Sequence, residues 1–300
     1  MTRISTIASS QMSLNMRLAL ARQSSEMSRL SQEAATGLRQ DVYAGDASKA
    51  GRSLDLRGQL GITESFIDAN RLLEGKLEVM TEALSSVQTL AGDFRNLTLS
   101  GDIAANHRGT FRAQAEHALG QITDFLNTTY QGGFLFSGHE TGTAPLDPDG
   151  TGTGVIYRGG AQAAVARIDA QREMAYGLTA KDPAFNDIFA GLGMVLNVPD
   201  LDTLSDAEFG QLRDNVLGAM NDGIGGLTAL QGRLGDQQQQ LSRQIESQEV
   251  RQRIYTGGIG DIEAVNLEET AVRLQQIELQ LQTTYQITAR MSGLSLLNYL

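Results

Sequence analysis

Residues 265–300 read VNLEETAVRLQQIELQLQTTYQITARMSGLSLLNYL, and within them Leu267, Leu274 and Leu281 recur every seventh residue. Ile277 and Met291 fall on the same side at the intervening heptad steps, which predicts one apolar stripe along one long helix. Glu268, Glu269, Arg273, Gln275, Gln276, Gln280 and Gln282 fill the other faces. Such a helix gains little from propensity alone in water, so its stripe requires a partner. Leu294, Leu296, Leu297 and Tyr299 then concentrate apolar surface at the chain terminus, where most domains fray.

A partner is available at the other end of the chain. In MTRISTIASSQMSLNMRLALARQ, the positions Ile4, Ile7, Leu14, Leu18 and Ala21 follow the same three-four spacing, and no Pro or Gly interrupts the run before Gly37. One reading is an intramolecular coiled coil that closes the monomer. The other starts from the extra apolar residues beside each seam: Met12, Met16, Leu20 and Met27 on the first helix, Val272 and Leu279 on the last. Helices that are apolar on more than one side are usually packed on more than one side, which points to further copies of the same chain. The candidate assembly residues are therefore Ile4, Ile7, Leu14, Leu18, Leu267, Leu274, Ile277, Leu281, Met291, Leu294, Leu296, Leu297 and Tyr299.

Composition narrows the function classes. With 300 residues and 41% hydrophobic content, the chain can bury a sizeable core. Its aromatic share is 5% with no Trp, which suits helical packing better than a compact enzyme core. A net charge of -11 argues against nucleic acid as a partner, because phosphate binding needs a concentrated basic surface. Cysteine is absent, so disulfides and thiolate ligation are excluded. The first thirty residues lack the apolar core and cleavage site of a secretory signal peptide, and no run is long enough to cross a bilayer. Export, if it occurs, uses another route.

Along the chain, Gly37 supplies a helix stop, Gly45 a turn and Asp46 the start of the next helix. Leu73, Leu77, Met80, Leu84, Val87, Ala91 and Phe94 keep the helical period up to a stop at Gly101-Asp102. A third helix from near Ala105 carries Phe111, Ala115, Ala118, Ile122 and Phe125, forming an antiparallel hairpin with the second. From Gln131 the composition shifts to Gly, Thr, Asp and Pro, and GVIYRGGAQAAVARID predicts two strands about a Gly159-Gly160 turn. Helical period returns in DPAFNDIFAGLGMVL and then in a long element with Phe209, Leu212, Val216, Leu227, Leu230, Leu234, Leu241 and Ile245. Gly223, Gly225 and Gly226 weaken it, and Thr256-Gly257-Gly258 predicts a joint before the last helix.

The expected fold is mainly α with a small β-rich insertion: elongated, nested helical coiled-coil and bundle domains built from both termini. Its predicted parts are residues 1–45 with 256–300 as a terminal coiled-coil assembly domain, 46–137 with 182–255 as an inner helical bundle, and 138–181 as an inserted β-rich outer domain.

No catalytic, cofactor or metal residues can be nominated. His107, His117 and His139 lack the spacing of a metal-binding helix. Gly150, Gly152 and Gly154 follow Pro148-Asp149 in a loop rather than linking a strand to a helix. Asp261, Glu263, Glu268 and Glu269 read as the wet face of an amphipathic helix.

Several segments carry a resemblance to a known family. LSQEAATGLRQDVYAGDASKAGRSLDLR, through Gly37, Leu38, Arg39, Asp46 and Ala47, is similar to the N-terminal segment of the bacterial flagellin superfamily. GGFLFSGHETGTAPL at 132–146, FNDIF at 185–189 and LSLLNYL at 294–300 resemble, within it, the hook-associated (type 3) hook-filament junction family; Leu297 stands where that family often has Phe. The resemblance covers essentially the full length. It implies a non-enzymatic structural part of the bacterial flagellum that links hook to filament by self-assembly. It also implies a ring of copies between another hook-associated protein and filament flagellin, with no membrane insertion. Unfolded passage through the flagellar type III apparatus to the outside, and an export chaperone on the C-terminal helix, are further implications. A short filament flagellin and a cytoplasmic coiled-coil adaptor are the alternatives.

Overall fold

A computed structural model describes residues 2–100, 108–148 and 154–297; the side chains of residues 2–10, 13, 44, 45 and 291–297 lie outside the described part. The chain is mainly helical: α1 (Thr2–Thr36), α2 (Val42–Gly45), α3 (Ala47–Leu99), α4 (Arg108–Leu126), α5 (Pro183–Leu196), α6 (Asp206–Glu263) and α7 (Leu267–Leu297). Between α4 and α5 lie six short strands, β1 (Thr129–Tyr130), β2 (Gly133–Phe134), β3 (Leu146–Pro148), β4 (Val155–Tyr157), β5 (Ala164–Asp169) and β6 (Arg172–Tyr176). Two compact units result, one of residues 1–62 with 251–300 and one of residues 63–250.

Within the 63–250 unit, α3 and α6 run antiparallel in one register, since Arg71 pairs with Glu249, Thr81 with Gln238 and Gln88 with Thr228. The helical period explains the pairing: Leu77, Leu84 and Val87 on α3 share one apolar cluster with Val216, Leu227 and Leu234 on α6. Phe111 of α4 stacks on Phe94 at 5.2 Å between centroids and meets Phe209 edge-on at 6.1 Å. Arg108 closes this end, with its guanidinium 4.4 Å over the Phe209 ring and donating to the Leu204 carbonyl and the Asp206 carboxylate. Ser205 and Glu208 form a reciprocal capping box that starts α6.

The glycines of α6 do not break it. A Cβ at Gly226 would lie 2.6 Å from Cβ of Ala184, so the residue is where α5 presses against α6. Likewise the helix runs through Gly257-Gly258 to Glu263 instead of bending at 256–258, because Gly258 takes up a close approach of Leu56, 3.1 Å from where a Cβ would stand. Close packing, rather than a chain break, accounts for Gly223, Gly226 and Gly258, while Gly225 and Gly257 face open space.

Strand pairing also departs from expectation. The strands either side of Gly159-Gly160 do not pair with each other: β4 pairs with β3, and β5 pairs with β6 around Ala170-Gln171. A Cβ at Gly160 would run into the His139 ring, so this glycine serves packing and not a hairpin turn. The β1–β2 hairpin turns through Gln131 (φ 49) and Gly132 (φ 81), both left-handed, as a two-residue turn of that twist requires. Residues of the 138–181 stretch are not held apart from the helices: Leu146, Ile168, Met174, Leu178 and Ala180 belong to the same apolar cluster as α3 and α6. Asn70 Nδ2 donates to the Ile168 carbonyl at 3.0 Å and to Gln248 Oε1 at 2.9 Å, while Gln248 Nε2 donates to that same carbonyl. All three groups are buried, so the network is satisfied where an orphaned group would be costly.

Candidate assembly interface

The interface is built on the joint where α1 ends and α7 begins. Gly37 adopts φ +71 and its N–H donates to the Glu33 carbonyl at 2.8 Å, ending α1 with a left-handed cap. Arg39 N–H then donates to the Glu263 carbonyl and Val265 N–H to the Gly37 carbonyl, so Leu38 and Ala264 form one antiparallel bridge. Asn266 Oδ1 accepts from the N–H groups of Glu268 and Glu269 and so caps the start of α7. Apolar periodicity does not reveal this cap; an Asn placed just before a Glu-rich first turn is the signal that does.

Two buried carboxylates hold this joint. Glu33 accepts from Gln40 N–H at 3.0 Å and from Arg29 Nη1 at 2.9 Å. Glu263 accepts from Ser53 Oγ and from Arg57 Nε at 3.0 Å. The Arg57 guanidinium holds the Glu263 carboxyl below the usual carboxylate range, against the opposing effect of burial. Glu263 is thus a correction to the wet-face reading: the residue is 6% exposed and tied to α3. Helical periodicity assigns faces of one element and carries no record of which other element crosses it.

From the joint, α1 and α7 pair antiparallel, with Thr284 Oγ1 reaching Gln23 Oε1 at 3.4 Å. The α1 side of the seam is Met16, Leu20, Gln23, Met27, Leu30 and Ala34, all buried or half-buried. Opposite them stand Thr270, Leu274, Ile277, Leu281, Thr284 and Thr288. Leu281 at 8% exposure and Leu30 at 2% are its most enclosed leucines. The rotation of α1 differs from the expectation that Leu14 and Leu18 form the seam with Met16, Leu20 and Met27 beside it. Extending each row explains the difference: the Leu14 row continues into Ser25 and Ser28, whereas the Met16 row continues into Met27, Leu30 and Ala34 up to the joint. The second row is apolar but for Gln23, which is half-buried and meets Thr284, so it takes the intramolecular contact.

What remains outside is apolar on both helices. Leu14 and Leu18 are exposed on α1, and Leu267, Val272, Leu279, Tyr285 and Ile287 on α7, with Leu279 at 65%. Of the candidate residues, Leu274, Ile277 and Leu281 come together in the seam, while Leu14, Leu18 and Leu267 face outward. Ile4, Ile7, Met291, Leu294, Leu296, Leu297 and Tyr299 lie outside the described side chains. An intramolecular pair therefore forms and still leaves two apolar rows uncovered.

Among the described residues no group of three His, Asp or Glu side chains could hold a metal ion, and no helix is long and apolar enough to cross a membrane. His117 and His139 are exposed, and His107 lies outside the described residues.

Comparison with known proteins follows the same two ends. The family model of the bacterial flagellin N-terminal helical region matches residues 7–141, and that of the bacterial flagellin C-terminal helical region matches residues 217–300. No curated protein matches significantly. Among solved structures, a flagellar hook-associated protein of Vibrio parahaemolyticus superposes with a TM-score of 0.62 at 18% identity, over 73% of this chain and 99% of its own. The flagellar junction protein FlgL of Legionella pneumophila gives 0.57 at 12%, over 71% and 100%. Flagellar hook-associated protein-3 of the same species gives 0.51 at 13%, over 72% and 98%. At these identities the likeness is one of fold, and with both end regions matched across more than half of its length, the chain belongs to the bacterial flagellin family.

Proposed function

We propose that this chain is a structural, non-enzymatic part of the bacterial flagellum that joins hook to filament. The observation that carries it is the uncovered apolar surface on α1 and α7, the two ends that match the flagellin family. A monomer rarely leaves such rows open without a partner surface. In this reading a ring of copies forms through Leu14, Leu18, Leu267 and the terminal residues Ile4, Ile7, Met291, Leu294, Leu296, Leu297 and Tyr299, with Leu274, Ile277 and Leu281 holding the α1–α7 pair that presents them, another hook-associated protein on one side and filament flagellin on the other. Residues 1–45 with 256–300 act as the assembly part, 46–137 with 182–255 as the bundle and 138–181 as the outward insertion. The chain leaves the cell through the flagellar export apparatus, its C-terminal helix held by a chaperone until release. Hook-associated and junction relatives of the same fold support this assignment over a filament subunit.

Electron microscopy of a deletion strain tests it. Hooks without filaments, with flagellin released into the medium, are expected; normal filaments would overturn the junction role.

A further inference from the structure

A second feature lies in the 63–250 unit, away from the terminal helices. A cleft of about 270 Å³ opens between α3 and the hairpins, lined by Lys76, Tyr130, Phe134, Thr141, Tyr176 and Leu178 among others. Lys76 is the one charged residue in its lining. Among the described residues its ammonium has no ion pair or hydrogen bond, nor do the Tyr130 and Tyr176 hydroxyls have a partner. The sequence explains part of this isolation: the helical neighbours three and four residues away are Leu72, Leu73, Val79 and Met80, so no carboxylate on α3 can reach Lys76 in the usual way.

The cleft is also shaped locally. Gly75 precedes Lys76, and a Cβ there would lie 2.7 Å from the Tyr130 hydroxyl, so the glycine lets that phenol rest against α3 at the residue next to Lys76. Tyr130 reaches this place because the left-handed Gln131-Gly132 turn folds β1 back on β2. Burial pushes the Tyr176 phenol up, which keeps it a proton donor at any physiological pH. The cleft thus collects one cation and two phenol donors among apolar walls, a donor set complementary to a single carboxylate.

We propose that this cleft receives an Asp or Glu side chain from a second copy of this chain, with Lys76 as its counter-charge. Charge complementarity selects the occupant: with 35 acidic against 24 basic residues, the surface that any copy offers its neighbour is rich in carboxylates, and a cleft of about 270 Å³ has room for an Asp or Glu side chain. The proposal rests on the assembly reading above and adds a lateral contact outside the terminal helices.

The sequence makes the test clean, because the chain has only three lysines, and Lys49 and Lys181 are exposed controls for the half-buried Lys76. Sheared flagella and the purified full chain at increasing concentration are treated with a water-soluble carbodiimide, and cross-linked peptides are identified by mass spectrometry. The expected result is a Lys76–carboxylate link between two copies that is stronger than any at Lys49 or Lys181. In parallel, Lys76→Met should lower incorporation into flagella about fivefold, with Lys76→Arg restoring it and all three chains melting alike. Links at Lys49 and Lys181 without one at Lys76, or a Lys76 link only to a different flagellar protein, would overturn the proposal. So would uronate or acetate shifting Tyr130 and Tyr176 resonances of the monomer with no link between copies, which would make the cleft a site for free acids. Absence of the chain from flagella, with a Lys76 link in the purified protein, would sink the junction role and leave this contact standing.

Discussion

Arg57 of α3 grips the carboxylate of Glu263, the last residue of α6, and so secures the joint from which both terminal helices depart. Because Arg57 holds this carboxyl below its ordinary value, the folded pKa is depressed relative to the unfolded one. Its contribution is present above the unfolded value of about 4.3 and is lost as pH falls through the folded value. Glu263→Gln should therefore cost about 1–2 kcal/mol at pH 7, a range kept low because Arg57 is half-exposed and screened. Thermal unfolding of both proteins from pH 7 to 3 checks this. A deficit that fails to shrink at acid pH would show that shape, not charge, sets the effect.

Neighbouring glycines of α6 should respond in opposite directions. A Cβ added at Gly225 would meet nothing within 4 Å, so Gly225→Ala should stabilise by up to about 1 kcal/mol. Gly226→Ala would press on Ala184, including its Cα at 3.2 Å, and should destabilise the 63–250 unit. Urea unfolding of the pair reads both signs; equal effects would contradict the packing of α5 on α6.

Seam and outer row can be separated by two leucines of α7 that lie two residues apart. Leu281→Asp puts a carboxylate into the closed seam and should open the α1–α7 pair, at a cost of several kcal/mol. Leu279→Asp alters the exposed row and should leave the monomer's melting unchanged while abolishing filament attachment in a complemented deletion strain. Hydrogen exchange of the monomer distinguishes them: faster exchange along α1 is expected for the first variant alone. Restored filaments with Leu279→Asp would remove the outer row from the assembly surface.

Asn70 offers a fourth test. Asn70→Ala leaves Gln248 and the Ile168 carbonyl short of a partner in the interior and should destabilise by about 1–3 kcal/mol. Asn70 and Gln248 changed together should cost less than the sum of the two single changes.

Much of this architecture is legible from period alone. The stripes of Leu77 to Phe94 and Val216 to Ile245 mark their helices because each row stays apolar over many turns, and Gly37 and Asp46 act as the stop and start that their chemistry suggests. Three things are not legible, each for want of a partner's position. Gly258 looks like a break until Leu56 is set beside it. Gly159-Gly160 looks like a hairpin turn until Tyr157 and His139 are packed over it. Glu263 looks like solvent-facing charge until Ser53 and Arg57 arrive from 210 and 206 residues away. The seam of α1 needs only a longer view of the sequence, in which Ser25 and Ser28 spoil the Leu14 row.

Those separations have a kinetic side. Asn70 meets Gln248 across 178 residues, and Gln23 meets Thr284 across 261. Loops of such length close slowly, and the interactions that reward closure come only at the end. When the chain appears N-terminus first, α3 can fold early only against α4, its contacts with α6 wait for the second half of the polypeptide, and α1 waits for α7. Pairing an early helix with a late one thus works as a timer, leaving the α1–α7 seam open until both helices have been made.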